Sequence, residues 1–445
     1  MADRLLFADP EGRLYAHPEL GPAATVGEAF ARPGGRPIAL PAHATLSSLP
    51  GRRPVGLARD GSLVVLDEVT VGRRTFKPDA VGCVLPPGYT RLSIPAYSAR
   101  PFAPVLTQWA YTTAAADGER HVAWAARTDA RSHWDAGDPA RDAAGPTLRG
   151  AVEAKLAADG DNRVWKQISR CALEYRCFTA QNSFLERDEG AIPASVACNA
   201  HCVGCISEQI DTGCDASHER MEDGPSAEEM ARMGAAHLER ATGRPMISFG
   251  QGCEGEPLTK ARAIAESIRL VRARTGRGSI NVNTNGSLTK HLGWLIDAGL
   301  DAVRVSLNSA SKDLYEAYYR PVGYGWEDVE RSIALAKRRG VYVALNLLCF
   351  PGVTDRDGEL AALEALVRRH GVDQVQTRSL AIDPAMYLAI ARGKGAGGDP
   401  VGMSALLARL RRLCVVGNFA RGLAERIRDV GPRRSRKASP AELAS

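Results

Sequence analysis

The apolar positions of the chain follow one pattern before about residue 130 and another after about residue 190. In the first part, short apolar runs are separated by turn signals such as PEG, RPGGRP and LPPGY. In VGLARDGSLVVL an Asp-Gly pair between apolar runs supplies the positive φ of a tight hairpin turn. VLTQWAYTTA and RHVAWAAR, joined by AADGE, predict a second strand pair. We therefore predict a β-rich N-terminal domain over residues 1–130, whose composition indicates no chemistry.

Residues 131–190 contain charged segments with helical spacing, TLRGAVEAKLAADG and RVWKQISRCALEYRCFTAQNSFL. They predict a helical connector to the next domain. Within it, Arg187 and Glu189 lie in ERDEGAIP, which is typical of a solvated loop and less so of a site rim.

From residue 191 to 385, six β-branched runs alternate with helical stretches. The runs are AIPASVA, PMISFG, SINVNTN, AVRVSLN, VYVALNLL and DQVQTRSL. Ser226 begins one helix as a capping box with Glu229, and later helices end at or beside glycines. Strands that alternate with helices pair in parallel through right-handed crossovers. This predicts an α/β fold, a partial (βα)6 TIM-like barrel, with an open doubly wound sheet as the alternative.

Composition places few further limits on function. A length of 445 residues favours two domains, and 44% hydrophobic with 24% charged residues is ordinary for a soluble protein. No apolar run approaches a membrane span, and the N-terminus lacks a signal-peptide core, so we expect a cytoplasmic protein without a membrane partner. Much of the net charge of +6 lies near the C-terminus. Residues 386–445 predict a helical segment and a disordered basic tail, which favours nucleic-acid binding only weakly.

The segment CNAHCVGC places three thiols, Cys198, Cys202 and Cys205, directly after the first predicted strand. In a βα barrel this is the mouth, where catalytic groups collect. Thiolates suit zinc and iron–sulfur clusters, and a structural zinc fills four positions. A 4Fe–4S cluster on three cysteines leaves one iron open to another ligand. A zinc site completed by His201 or Cys214, and cysteines without metal, are the alternatives.

This spacing, CxxxCxxC after the first strand, resembles that of the radical S-adenosylmethionine (SAM) enzymes. The resemblance implies that the three cysteines hold a 4Fe–4S cluster whose open iron is chelated by SAM. It also implies that a reduced cluster cleaves SAM to a 5′-deoxyadenosyl radical that abstracts hydrogen from substrate. An oxygen-sensitive enzyme with an electron donor such as flavodoxin or ferredoxin is then expected.

SFGQGCEGEPL, after the second predicted strand, is similar to the Gly-Gly-Glu-Pro stretch of that family, with Gly255, Glu256 and Pro257 at its core. Glycine allows close backbone approach, and Glu256 can accept hydrogen bonds from the SAM ammonium group. A plain glycine-rich turn is the alternative. One departure is Gly204, which precedes the third cysteine where the family often has an aromatic residue.

Other polar residues lie at the ends of the later predicted strands. Ser306 and Asn308 resemble ribose contacts, and Arg378 is a candidate partner for a carboxylate of SAM or of substrate. The remaining candidates near the mouth are Asn283, Asn285, Arg304, Asn346, Gly352 and Gln376. Gly352 is expected near adenine. For these residues a structural role is an equal alternative, and no catalytic residue is identified.

Two further groups lie near the predicted site. Tyr315, Tyr318 and Tyr319 form either a substrate wall or a cap on the barrel helices. Free thiols are the favoured interpretation of the other cysteines, with an auxiliary cluster on Cys171, Cys177 and Cys214 as the alternative. Cys83, Cys349 and Cys414 are assigned to packing, and Cys253 lies in the predicted SAM loop.

The sequence thus predicts a radical SAM enzyme of unknown reaction type. A peptide or protein substrate, recognised by the β domain, is favoured over RNA. The alternatives are a non-catalytic iron–sulfur electron carrier or redox sensor, and a zinc-stabilised binding module.

Overall fold

The structure is a computed structural model that describes residues 3–129 and 147–422. The predicted basic tail beyond residue 422, and residues 131–146 of the predicted connector, lie outside the described residues. Within the described ranges, no helix is both long and apolar enough to cross a membrane.

The N-terminal domain is built of short, mostly antiparallel strands, as the turn signals predict. Leu57 pairs with Leu63 across a turn at Gly61, where φ is 86°. Ala116 pairs with His121, so the second predicted hairpin is also present. The largest sheet here has the order β2-β1-β12-β16-β17-β6, with β7 beside β12. The strands are β1 (Arg4–Ala8), β2 (Leu14–Ala16), β3 (Gly21–Pro22), β4 (Ala24–Val26), β5 (Ala29–Ala31), β6 (Ile38–Ala39), β7 (Thr45–Leu49), β8 (Arg52–Leu57), β9 (Leu63–Val65), β10 (Val69–Val71), β11 (Arg74–Phe76), β12 (Asp79–Val84), β13 (Tyr89–Arg91), β14 (Ile94–Pro95), β15 (Tyr97–Ala99), β16 (Thr112–Asp117), β17 (Arg120–Ala123) and β18 (Ala125–Arg127).

A parallel sheet in strict sequence order forms the second domain, which confirms the partial barrel. Its strands are β19 (Arg187–Ile192), β20 (Thr242–Phe249), β21 (Ser279–Thr284), β22 (Ala302–Leu307), β23 (Tyr342–Cys349), β24 (Gln374–Ser379) and β25 (Val415–Gly417). Alternate residues of β22 face opposite sides: Val303 and Val305 pack in the helix-covered core, while Arg304 reaches Glu189 across the sheet interior.

Helices connect the strands and cover the outer face of the sheet. They are α1 (Leu148–Asp159), α2 (Arg163–Leu173), α3 (Phe178–Phe184), α4 (Ala227–Arg240), a 3-10 helix (Pro257–Lys260), α5 (Ala261–Arg274), α6 (Thr289–Asp297), α7 (Lys312–Tyr319), α8 (Trp326–Arg338), α9 (Asp357–His370), α10 (Pro384–Ala391) and α11 (Met403–Leu410). The predicted capping box is present, since the Ser226 hydroxyl and the Glu229 carboxylate each accept from the other's backbone N–H.

Two features of the sheet differ from prediction. The first strand is β19, which lies upstream of most of the predicted AIPASVA run, so Glu189 is a buried strand residue and not part of a solvated loop. A seventh strand, β25, pairs in parallel with β24 inside the segment predicted to be helical. It is only three residues long, which gives it too little periodicity to be recognised.

The N-terminal domain packs against the end of β24 and the loop that follows it. Arg91 is fully buried and donates to the carbonyl of Leu380 over 2.9 Å. Arg52 forms an ion pair with Asp383 at 2.8 Å, with side chains only 5% and 4% exposed. Buried polar groups need partners, and each of these arginines has one across the domain boundary, so these bonds join the two domains.

Candidate active site

The three-cysteine loop follows β19 and lies on the C-terminal end of α7. The backbone N–H of His201 donates to the carbonyl of Tyr319 over 3.1 Å, and that of Val203 donates to Tyr318 over 3.0 Å. These bonds fix the loop backbone. Because the loop follows β19, its thiols lie at the C-terminal edge of the sheet.

Cys198, Cys202 and Cys205 are half-buried free thiols. Burial raises the pKa of Cys198 to about 11 and holds the pKa of Cys202 well above its usual range. Thiolate ligation by a metal centre would displace these protons. Across residues 3–129 and 147–422, no three His, Cys, Asp or Glu side chains surround one point as ligands of a single ion. A 4Fe–4S cluster takes each thiolate on a different iron, and the three thiols of this loop supply ligands of that kind.

Polar side chains surround Cys205. Arg220 Nη2 lies 3.9 Å from its sulfur, and Ser207 Oγ lies 3.7 Å from the same atom. Gln108, from the N-terminal domain, donates to the Cys205 carbonyl over 2.9 Å. Hydrogen-bond donors to a ligating sulfur change the reduction potential of an iron–sulfur cluster. Arg220 and Ser207 are therefore candidate site residues, which the sequence did not reveal.

The Gly255-Glu256 loop packs directly on the cysteine loop. The Glu256 N–H donates to the Ala197 carbonyl over 2.8 Å, one residue before the first cysteine. A Cβ on Gly255 would lie 2.0 Å from that same carbonyl oxygen, so only glycine allows this approach. Pro257 follows as the first residue of the 3-10 helix and is buried.

The Glu256 carboxylate is buried and accepts hydrogen bonds from three protein groups. Its oxygens accept from the N–H of Leu258 over 2.9 Å, from the N–H of Asn285 over 2.8 Å, and from the Thr284 hydroxyl. Burial raises the pKa of this carboxyl to about 7. Asn285 also donates through its amide to Asn199 of the cysteine loop over 2.9 Å, which ties the two loops together.

Glu254 is a second buried carboxylate, which the sequence pattern does not identify as a site residue. It accepts from the backbone N–H groups of Ala194, Ser195 and Gln251, each over 2.7 Å. Burial raises its pKa to about 8, while these donors act in the opposite direction. Its position two residues before Glu256, in the sequence CEGEP, was the available signal.

Neither carboxylate forms an ion pair with a Lys, Arg or His side chain in the described part of the chain. Burying carboxylates without a cation is costly, and an added ammonium group offsets that cost. Glu256 Oε2 accepts one protein hydrogen bond and keeps a further acceptor position. The residues present therefore fit the ammonium group of SAM.

Tyr318 explains the departure at Gly204. A Cβ at position 204 would lie 2.6 Å from the Tyr318 hydroxyl, so this tyrosine occupies the space that a side chain there would need. Tyr315, Tyr318 and Tyr319 are all buried, and the rings of Tyr315 and Tyr319 stack with centroids 4.5 Å apart. These packed rings lie against the cysteine loop.

The interior face of the barrel is polar and charged. Arg304 Nη2 lies 3.6 Å from Glu189 Oε1, and its Nη1 donates to Gln376 over 3.1 Å. Arg378 lies four residues further along β24 than Gln374, towards the mouth, and is half-buried. These groups come from three separate strands, and the curled sheet brings them together.

The other predicted residues occupy different positions. The Asn283 amide donates to the Gly250 carbonyl and its oxygen accepts from Asn281 over 2.8 Å, so it bridges strands. Asn308 donates to the Tyr387 hydroxyl over 3.2 Å, but its buried Oδ1 has no hydrogen-bond partner among the described residues. That acceptor fits a ribose hydroxyl. Ser306 lies on the interior face of β22, paired with Asn346 of β23.

Gly352 packs against the N-terminal domain, where a Cβ would lie 1.9 Å from the backbone N of Gly27. Cys171 lies beside Cys253, and with Cys177 they line a small cavity of about 60 Å³. Cys214 lies elsewhere, 3.8 Å from the Leu106 carbonyl. The three cysteines of the alternative auxiliary cluster are thus not brought together.

A family model described as "Radical SAM superfamily" matches residues 192–363. A GTP 3',8-cyclase of Chlorobaculum tepidum is 28% identical over 40% of this chain and 49% of its own length. A GTP 3',8-cyclase of Thermodesulfovibrio yellowstonii is 31% identical over 37% of this chain and 48% of its own length. The chain thus spans about half the length of the curated relatives it matches.

Solved structures with some likeness include Streptococcus suis SuiB bound to S-adenosylmethionine, at 12% identity, covering 60% of this chain and 62% of that one, with a TM-score of 0.37. A radical SAM methyltransferase of Sphaerobacter thermophilus is 19% identical, covering 57% of this chain and 92% of that one, with a TM-score of 0.33. The match over residues 192–363 includes all three cysteines and Glu256. Residues 192–363 are therefore a radical SAM domain, and members of that superfamily use a 4Fe–4S cluster and SAM.

Proposed function

We propose that the protein is an enzyme that cleaves SAM reductively and abstracts hydrogen from a peptide or protein substrate. Cys198, Cys202 and Cys205 would hold the 4Fe–4S cluster, which when reduced supplies the electron that generates the 5′-deoxyadenosyl radical. Glu256 would hold the SAM ammonium group, and the free Asn308 Oδ1 would accept from ribose.

One observation supports this proposal above the others: a buried carboxylate without a cationic partner lies on the loop that packs against the cysteines. A simple electron carrier needs cysteines but no binding site for an ammonium group. Glu256 and Glu254 therefore favour a SAM-dependent enzyme over a carrier or redox sensor.

The N-terminal domain supports a large substrate, because it contacts the cysteine loop through Gln108 and the end of β24 through Arg91. A β domain so placed can guide a peptide to the barrel mouth through an edge or groove. An electron donor such as flavodoxin or ferredoxin, oxygen sensitivity and a cytoplasmic setting belong to the same proposal.

The test is made on reconstituted protein under strict exclusion of oxygen. Iron and sulfide are counted, SAM and dithionite are added, and 5′-deoxyadenosine is quantified by mass spectrometry. We expect about four irons per chain, from the cluster type, and deoxyadenosine that disappears when all three loop cysteines are changed to alanine. Cys414→Ala, which removes a thiol outside the loop, is the matched control and keeps both signals.

A bound cluster with no SAM cleavage, with or without added peptide pools, would favour the electron carrier. One zinc per chain without sulfide would refute the enzyme and support a zinc module.

A further inference from the structure

Two arginines, Arg304 and Arg378, face the barrel interior, and a carboxylate lies within ion-pair distance of Arg304. Glu189 lies 3.6 Å from Arg304, and both side chains are 12% exposed. Arg304 is further engaged by Gln376 at 3.1 Å. Its charge and donors therefore have partners within the protein.

Arg378 differs, because no carboxylate oxygen of the described residues lies within 4.0 Å of its guanidinium. Its Nη1 donates to Asn418 Oδ1 over 3.2 Å, a neutral acceptor. The nearby Asp129 carboxylate is already engaged by the backbone N–H groups of Asn418 and Phe419, at 3.3 Å each. Burial, and then the charge of Arg304, lower the pKa of Arg378 to about 10, while the more distant carboxylates of Glu189 and Asp129 act in the opposite direction. A guanidinium has five donors, so this one remains open to an oxyanion.

We infer that Arg378 is the binding site for a carboxylate of the substrate, at the mouth end of the barrel interior. The inference rests on the proposed function, since it places an acidic substrate group opposite the SAM loop. It narrows the substrate to one that presents a carboxylate, such as an aspartate, a glutamate or a C-terminus.

The methionine carboxylate of SAM is a poor candidate for this position. Thr284, which binds Glu256, lies level with Val375 of β24, three strands away. Measured along the sheet, three strand spacings amount to about 14 Å, and Arg378 lies three residues, about 10 Å, further towards the mouth. The ammonium and carboxylate of SAM are separated by a single carbon, so this separation favours a carboxylate of the substrate at Arg378 over the methionine carboxylate.

The local charge favours a single carboxylate over a polyphosphate. Of these two interior guanidiniums, Arg304 forms an ion pair with Glu189, whereas Arg378 forms none with the described residues. A triphosphate would bring several negative charges to one unpaired cation and towards the Glu189 carboxylate, which is unfavourable in a buried setting.

The experiment uses the full-length, cluster-loaded protein with saturating SAM. Glutarate, its neutral isostere glutaramide, and tripolyphosphate are titrated as probes and followed by saturation-transfer NMR. We expect glutarate to bind and glutaramide not to bind, and we expect Arg378→Gln to weaken glutarate at least tenfold. Arg378→Lys should give an intermediate loss of glutarate affinity, because lysine keeps the charge but lacks the paired N–H donors of a guanidinium. Arg392→Gln, at a 72% exposed arginine on the surface, is the control and leaves glutarate affinity unchanged.

Equal binding of glutarate to wild type and Arg378→Gln would overturn the inference. Tripolyphosphate binding more than tenfold tighter than glutarate, and lost in Arg378→Gln, would replace the carboxylate by a phosphate. A tenfold weaker SAM affinity in Arg378→Gln would assign the arginine to SAM. None of these results affects deoxyadenosine formation by the wild-type protein, so the proposed function is judged separately.

Discussion

The buried ion pair between Arg52 and Asp383 should fix the N-terminal domain on the barrel, and Asp383→Asn tests this. One oxygen of Asp383 accepts from Arg52 over 2.8 Å and from the Leu106 N–H over 2.9 Å. The other accepts from the Ala385 N–H over 2.8 Å and so caps α10. An asparagine can keep the cap, but its amide group then meets two donors.

The expected cost follows from the burial of this pair. The side chains are 5% and 4% exposed, so the variant leaves a guanidinium charge in a dry interface. Breaking a buried pair by removing one partner costs about 3–5 kcal/mol. The Arg52 Nη1 bonds to the carbonyls of Pro50 and Pro104 remain, so we place the loss near the lower end, about 3 kcal/mol.

Urea unfolding followed by tryptophan fluorescence and circular dichroism measures the effect. A two-domain chain need not unfold in one step, so the transition that exposes the N-terminal domain is compared at constant slope. Asp67→Asn is the matched control: its pair with Arg53 spans 3.4 Å, and its carboxylate is 73% exposed. Exposed pairs contribute about 0–1 kcal/mol.

Equal effects of Asp383→Asn and Asp67→Asn would refute the reasoning. The double variant Arg52→Met with Asp383→Leu provides a second check, since it removes both charges and replaces them with apolar volume. It should be more stable than Asp383→Asn alone. If it is not, the interface depends on the geometry of these bonds and not on charge balance.

Four other changes test the site. Gly255→Ala should lower the free energy of unfolding by about 1–3 kcal/mol, because its Cβ would lie 2.0 Å from a carbonyl oxygen, and should weaken SAM binding in a calorimetric titration. Gly276→Ala is the control and should change neither quantity, because open space surrounds Gly276. Gly204→Ala should lower iron content by displacing Tyr318, and adding Tyr318→Phe should restore it; failure of this rescue would contradict the contact. SAM affinity should rise as pH increases through about 7, where Glu256 ionises and attracts the ammonium group, and Glu256→Gln should flatten this dependence. Arg220→Gln should lower the cluster's reduction potential by about 40 mV, equivalent to about 1 kcal/mol for one electron, because it removes a positive charge beside Cys205. Arg220→Lys should change the potential less. An unchanged potential in a redox titration of Arg220→Gln would exclude the contact to Cys205.

The sequence predicted those parts of the fold and site that depend on local spacing. The three cysteines, Gly255 and the Ser226 capping box each need only a few neighbouring residues to be recognised. The hairpin turn at Gly61 is of the same kind. Strand periodicity likewise placed five of the six predicted barrel strands within two or three residues of their observed bounds.

Features that depend on distant partners were missed. Glu254 has two of its three donors about sixty residues upstream, at Ala194 and Ser195, so its burial and hydrogen bonds do not follow from the local sequence CEGEP alone. The sequence pattern predicts Glu189 in a loop, because charges usually mark solvent exposure. In a barrel interior a charge is satisfied instead by another strand, here through Arg304.

The N-terminal domain gave no chemical signal in its composition, yet it takes part in the site. The cysteine loop is held from one side by the backbone of Tyr318 and Tyr319, and from the other by Gln108 of that domain. The Leu106 N–H donates to Asp383 and lies two residues before Gln108, so we expect a change at Asp383 to disturb the bond to the Cys205 carbonyl. For this reason a loss of cluster in a boundary variant such as Asp383→Asn would indicate a role of the domain in assembling the site, and not only in binding substrate.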